Sequence, residues 1–470
     1  MTTASISLRA RVPRVRARPL AAAGRLLRLE LRRNPMVWLL LPLGALMGFS
    51  PYQVSMEYAP VWNLRASVML DHFLPLVAFG AGAAAWMGSR EARRRTTDMV
   101  TTTPRPGWAR KLATCAATTC WMLVAYACLV ALLYGVTARQ ATWGGPVWWP
   151  VAVGGASLAV SCALGFAAGM FIPSRFTVPL AALAVGMAAL MGVSHSTNPY
   201  ALLSGADGIP PSDIGVFYRN PPDLAVIQLM FLIGLGIAAA GALGLPASSG
   251  GPWLRRSAAA VTVVGLAAAG TAVGLTGTAS VRPTGVVIPA LHDAAGDGPI
   301  GYTPACSGVV CIHPAFRAYL ADLVTAFDPV LSEVAGLPGA PARADQIASS
   351  DAGDVGALIS GSPAVFRFAL PATSHSFIGD LDTTLVTLFI GGQPAAKGNG
   401  GTPAQQAVES GLLTAAGVQG ADSAALSQAS PAISHAAARF AALSRVARRT
   451  WLATYLPALR AGHITLVEVP

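Results

Sequence analysis

Seven apolar stretches, each close to the length that crosses a bilayer, govern what this chain can fold into. They are Met36–Ser50, His72–Gly88, Leu112–Val136, Val147–Ile172, Phe176–Val193, Leu224–Leu245 and Ser257–Thr276. A helix of about 20 apolar residues covers roughly 30 Å of hydrocarbon. It also satisfies its own backbone hydrogen bonds, which hydrocarbon cannot do for it. The first stretch is the shortest and contains Pro42, and none of the seven carries an Asp, Glu, Lys or Arg. Only 11% of the 470 residues are charged, against about 25% in soluble domains. These features predict a polytopic α-helical membrane protein of about seven spans, residues 36–277. A basic N-terminus, residues 1–35, precedes the spans, and an α+β domain, residues 278–470, follows them.

Charge gives the spans a direction. The net charge is +11, but residues 1–278 carry 22 basic and 8 acidic groups, whereas residues 279–470 carry 10 and 13. The segments before span 1 and between spans 2 and 3, 4 and 5, and 6 and 7 hold 9, 7, 1 and 2 basic residues. The alternate loops hold only Arg65, Arg139 and Arg219. Loops rich in Lys and Arg stay in the cytoplasm, so the N-terminus is expected inside and the C-terminal domain outside a cell membrane. Because the excess charge flanks apolar spans, lipid and not nucleic acid is the expected partner. Trp143, Trp148 and Trp149, and Tyr52 and Tyr58, sit at run edges, where interfacial aromatics concentrate. Arginine outnumbers lysine 30 to 2 and alanine is heavily used, a bias of GC-rich bacterial genomes.

Cysteine usage agrees with an outer tail. Cys115, Cys120, Cys128 and Cys162 fall inside spans and read as small hydrophobes. Cys306 and Cys311, in ACSGVVC, are the tail's only pair. They suit a small disulfide loop in an oxidising compartment. A zinc half-site is the alternative, but no second Cys or His pair follows at ligand spacing. The tail predicts a helix over AFRAYLADLVTAF, strands at VFRFAL (365–370) and TLVTLFIG (384–391), a glycine-rich loop at 391–401, a helix over PAQQAVESGLLTAAG and a single long helix from SHAAARF to LRAG.

The N-terminal segment AAAGRLLRLELRRNP groups Arg25, Arg28 and Arg32 on one side of a helix, with Leu27 and Leu31 opposite. That pattern predicts a helix lying in the membrane interface. Between spans 2 and 3 lies SREARRRTTDMVTTTPRPGWARKL. Here Glu91 stands three and four residues before Arg94 and Arg95, a helix-supporting spacing, and Pro104 ends any helix before Trp108 re-enters the interface. Neither a Walker A loop, HExxH nor GxSxG occurs. Lys397 is preceded by Ala396 and followed by Gly398. No enzymatic activity, cofactor or metal is therefore expected of this chain. Apart from His72 at a span edge, the spans also lack the embedded acids and histidines of ion-coupled pumps, so any uphill transport needs an external energy source.

The order of a basic interfacial helix, two spans and R-E-x-R-R-x-T-x-[DE]-x-x-x-x-x-P is carried here by Arg90, Glu91, Arg93, Arg94, Thr96, Asp98 and Pro104. It resembles the permease subunits of type-2 ABC exporters of bacteria, over about residues 22–245. Arg95 stands where that family often has glycine. The resemblance implies that the 90–104 segment is a coupling helix. It would dock a separate ATPase subunit through Glu91, Arg93, Arg94, Arg95, Asp98 and Pro104, with a second permease subunit, the same chain or another, completing the path. The start and end of the tail are similar to those of actinobacterial permease-like proteins with an added outer domain. The alternative is a membrane-anchored extracytoplasmic receptor or envelope assembly factor, with spans that serve only as scaffold.

Overall fold

The computed structural model describes residues 19–38, 59–94, 107–194, 198–205, 214–245, 251–294, 298–352, 356–370, 378–396, 401–418 and 430–470, with Gly44 and Phe49 in addition and Phe73 and Pro283 excepted. The N-terminal half is helical: α1 Pro19–Arg33, α2 Trp62–His72, α3 Leu74–Gly88, α4 Gly107–Gln140, α5 Trp148–Phe171, α6 Thr177–Ser194, α7 Asp223–Ala242 and α8 Gly251–Thr276. Four of these are long and apolar enough to cross a membrane: Gly107–Gln140, Trp148–Phe171, Asp223–Ala242 and Pro252–Thr276. The expected second and fifth spans correspond to shorter apolar helices, Leu74–Gly88 and Thr177–Gly192. Most of the expected first span, Met36–Ser50, lies outside the described residues. Leu180, Leu183, Val263 and Val264 are exposed on α6 and α8, the kind of apolar surface that lipid would cover.

In lipid there is no hydrophobic drive between helices, so association depends on close van der Waals packing. Glycine supplies it. α3 packs on α5 and α6, and α7 packs on α5 and α8. A methyl group on Gly165 or Gly169 of α5 would overlap the carbonyl oxygen of Ala81 or Ala85 in α3, and one on Gly88 would overlap that of Phe166. The two backbones therefore touch along a Gly-x-x-x-Gly edge. Three buried hydroxyls in the bundle return to their own helices: Thr118, Thr137 and Ser161 donate to the carbonyls of Thr114, Leu133 and Ser157, which pairs each of them in an apolar surrounding.

The C-terminal half is α+β, as expected. A small hairpin, β1 Ser280–Arg282 and β2 Gly285–Val287, precedes β3 Ala305–Ser307, β4 Val310–Ile312, α9 Leu320–Val334, β5 Arg343–Gln346, β6 Ala357–Ser360, β7 Val365–Phe368, α10 Ile378–Ala396, α11 Pro403–Ala415, α12 Pro431–Ala442 and α13 Arg445–Arg460. The main sheet has the order β3-β4-β5-β7-β6, parallel at its centre and antiparallel at both edges. Helix α9 makes the crossover between parallel strands β4 and β5, as that pairing requires. Phe316, Phe327, Phe366, Phe368, Phe389 and Phe440 fill the core. Cys306 and Cys311 are bridged and lie opposite each other in the β3–β4 register, with Cα atoms 4.1 Å apart.

Two expected elements differ. TLVTLFIG is not a strand but the middle of α10. Leu385, Val386, Leu388, Phe389 and Ile390 are all buried, with Thr384 and Thr387 half-buried beside them, and a short, largely covered apolar run has no clear period by which helix and strand can be told apart. The glycine-rich loop begins within the same element, where Gly392 (φ 70°) breaks the helical path. The single helix expected from SHAAARF to LRAG is two, because Leu443 and Ser444 are extended and the Ser444 side chain caps α13 by accepting from Ala447 N–H. The start of α9 is tighter than expected: Pro314–Tyr319 forms a 3₁₀ turn before the α-helix proper.

Arginines of α13 close the ends of neighbouring helices. Arg445 and Arg449 donate to the carbonyls of Ser332 and Ala335 at the C-terminus of α9. Arg448 donates to those of Ala441 and Leu443 at the end of α12 and pairs with Glu333 at 3.0 Å. Cations at helix C-termini satisfy orphan carbonyls and complement the dipole.

The α3–α5 contact is directly testable. Gly169→Leu is expected to lower stability in detergent by about 1–3 kcal/mol, the usual cost of overpacking. Gly135→Leu, where added atoms meet open space, is expected to leave it near wild type. Equal thermal midpoints for the two variants would remove the role assigned to the glycine edge.

Candidate functional site

One end of the bundle gathers most of the residues that the sequence singled out. On α1, Arg25, Arg28 and Arg32 are exposed while Leu27 and Leu31 are half-buried, the division of faces expected of an interfacial helix. Trp121 of α4 donates its indole N–H to Leu31 O at 3.1 Å. Buried Asn34 donates to Thr118 Oγ1 at 3.2 Å and accepts from Met36 N–H at 3.0 Å. Both contacts fasten α1 and the turn after it to α4.

After α3 the chain makes a single helical turn, Arg90–Arg93, with Arg94 at its C-cap. Arg95, Asp98 and Pro104 lie outside the described residues. Glu91 pairs with Arg110 of α4 at 3.1 Å, not with the helically spaced Arg94. Arg90 lies 3.8 Å from Glu30 of α1. Arg93 turns back: its guanidinium donates to Trp86 O at 2.6 Å and covers the Trp86 ring, 4.6 Å from the centroid. Trp108 donates to Ala240 O at 2.9 Å, which joins the start of α4 to the end of α7. Helix α1, the 90–94 turn and the first turns of α4 thus form one surface. Glu30 is distant in sequence from the motif, while Trp86 and Arg110 flank it closely, and no spacing rule pointed to any of the three.

The other end carries the C-terminal domain, and the joint is built on His313. Its ring is buried among Tyr302, Trp143 and Phe217, with centroids 4.1, 4.5 and 5.2 Å away. Nδ1 accepts from Ala315 N–H at 3.1 Å, capping the 3₁₀ turn, so the neutral ring carries its proton on Nε2. The His313 N–H donates to Gln346 Oε1 at 2.9 Å. Burial holds the imidazole down to about 4. Around it, Thr142 donates to Pro314 O at 2.7 Å and Tyr218 donates to Asp351 Oδ2 at 2.7 Å. Asp223, at the start of α7, accepts from Ile288 N–H at 3.0 Å and lies 3.2 Å from His292 Nδ1. Ala59, Val61, Leu64, Val216 and Phe217, all from the N-terminal half, belong to the core of the C-terminal domain.

Beside this joint is a cavity of about 460 Å³, lined by Trp62, Trp143 and Trp149 with Asn63, Arg219 and Asn220 among others. Its size is that of a small-molecule pocket. Trp143 and Trp149 stood out in the sequence as interfacial aromatics, whereas Trp62 carried no such signal. Among the described residues, no three His, Cys, Asp or Glu side chains converge as a metal site needs.

Compared with family models, with curated proteins and with solved structures, the chain matches none.

Deeper in the C-terminal domain, Thr387 of α10 donates to Glu409 of α11, and burial pushes the Glu409 carboxyl up to about 7. The two shifts act in opposite directions. Between 4.5 and 7 the unfolded chain ionises Glu409 while the folded chain keeps its proton, so stability falls as pH rises through that window. Between 6.5 and 4 the unfolded chain protonates His313 while the folded chain does not, so stability falls as pH drops. Glu409→Gln is expected to raise the thermal midpoint above pH 7, by up to about 3 kcal/mol in stability, and to change little at pH 4.5. A gain that is the same at both pH values would contradict the assignment.

Proposed function

We propose that this chain is the transmembrane subunit of an ATP-driven exporter in a bacterial cell membrane, energised by a separate ATPase subunit. The observation that carries the reading is the union of α1, the 90–94 turn and the base of α4 through the pairs Glu30–Arg90 and Glu91–Arg110. A partner that pushes on this surface moves three elements together. The 90–94 turn follows directly on α3, which continues through its glycine contact into α5. In this reading the basic end faces the cytoplasm, the remaining apolar segments complete about seven spans, and the C-terminal domain stands outside. ATP binding and hydrolysis occur in the partner, and a second permease subunit, the same chain or a different one, forms the other wall of the path. This chain supplies no cofactor or catalytic group.

The affinity-tagged chain, extracted from its native membrane in mild detergent, is expected to carry an ATPase subunit with it and to change that subunit's turnover. The double substitution Arg93→Glu and Arg95→Glu, with Glu91 intact, is expected to weaken the association at least tenfold while membrane insertion is kept. Unaltered association in a stably inserted variant would exclude docking at this turn. If the full chain keeps its whole biological activity in cells with no ATPase subunit associated with it, the receptor reading takes its place.

A further inference from the structure

We propose that the end of the bundle opposite the C-terminal domain holds a binding site for the phosphate headgroup of an anionic phospholipid. A cavity of about 350 Å³ opens there between α1, the 90–94 turn, the base of α4 and the last turns of α5. Four cations line it, Arg90, Arg94, Arg110 and Lys111, together with two acids, Glu30 and Glu91. Both acids are already engaged, Glu30 with Arg90 and Glu91 with Arg110. Among the described residues, neither Arg94 nor Lys111 has a carboxylate within ion-pair distance, although Glu91 acts on Lys111 from farther off, so the described lining holds two more cations than acids. Thr114 also lines the cavity, with its hydroxyl donating to Arg110 O at 3.1 Å.

The rest of the lining is apolar: Met87, Phe166 and Met170, with Gly88 between them. This juxtaposition selects among anions. A free inorganic anion gains nothing from a methionine and phenylalanine floor, and an acidic protein loop has no hydrocarbon to lay on it. A phospholipid offers both parts at once, a phosphate for Arg94 and Lys111 and the upper acyl segments for the apolar floor. The cavity also lies where the apolar helices end, the level at which headgroups sit. Basic recesses between membrane helices are a known form of headgroup recognition. This excess of two cations suits one diphosphate headgroup or the single phosphate of phosphatidylglycerol.

The site goes beyond the exporter reading and does not depend on it, since the lipid would bind with no ATPase present. A bound headgroup would brace α1 against the 90–94 turn and the base of α4, so that occupancy would stiffen the same surface on which a partner would act.

The test uses the full chain, purified in neutral detergent and titrated with phosphatidylglycerol or phosphatidylcholine, with bound lipid read by native mass spectrometry. Phosphatidylglycerol is expected to bind the tighter of the two. The double variant Arg94→Gln, Lys111→Gln is expected to lose about 25-fold in phosphatidylglycerol affinity. That is a factor of about five for each cation that faces an anionic headgroup. The control Arg255→Gln, Arg256→Gln changes exposed cations at the same end but outside the cavity, and is expected to stay within twofold. Arg94→Lys, Lys111→Arg keeps the charge and is expected to retain binding; an unchanged thermal midpoint of the Gln variant shows that it is folded. Equal losses in the two Gln variants, no loss in the cavity variant, or displacement of the lipid by millimolar inorganic phosphate would each overturn the proposal. The last result would leave a free-anion site.

Discussion

The bundle depends on the backbone contact between α3 and α5. Helix α3 is too short to be an independent span by length and composition. What holds it is a face of glycine and alanine against the Gly165–Gly169 edge of α5, where any side chain larger than hydrogen would collide with a carbonyl. Small residues permit close approach, and close approach is the main source of adhesion where water is absent. Because α3 leads directly into the Arg90–Arg93 turn, this contact also fixes where the charged turn sits. The ion pairs to α1 and α4 then lock a surface whose position was already set in the apolar interior.

At the opposite end, the C-terminal domain is not a separate body on a tether. Its core includes Val61, Leu64, Val216 and Phe217, and its buried histidine is walled by Trp143 and Phe217 from loops of the bundle. Displacing the domain would strip these aromatic rings of their partners and expose apolar surface to water, a cost of kilocalories. Motions of α2, α4 or α7 would therefore be transmitted to the domain. The cavity that holds Trp62, Trp149 and Arg219 lies in the seam where such motion would be felt.

The sequence was informative wherever a single element decides the outcome. Length and composition marked the apolar helices, the β-branched and aromatic content of VFRFAL marked β7, and the grouping of Arg25, Arg28 and Arg32 opposite Leu27 and Leu31 marked α1. The Cys306–Cys311 bridge was legible because two cysteines five apart in a hairpin have no other partner nearby. Legibility failed where packing decides. TLVTLFIG reads as a strand from its β-branched and apolar content, but it is a largely buried helix. The Glu91–Arg110 pair and the ring cage of His313 join segments remote in the chain, and no local periodicity encodes them. The GFAAG edge of α5 was present in the sequence, but its meaning appears only once α3 lies against it. The span count differs in another way: all six of the later apolar runs were visible in the sequence, but only four of them form helices long enough to cross a membrane, and the other two, Leu74–Gly88 and Thr177–Gly192, are shorter.

The composite core of the C-terminal domain has a consequence for how the protein is made. Residues near position 60 and position 216 leave the ribosome long before Phe316, Phe366 or Phe440, yet all of them belong to one core. Until the last helix, α13, is synthesised and its arginines reach α9 and α12, that early apolar surface has no permanent cover. Completion of the domain therefore depends on the bundle ahead of it holding both early segments within reach. A chain that misplaced the helices bearing them would keep the two parts of the core apart and leave the domain unfinished, with its apolar surface open to water.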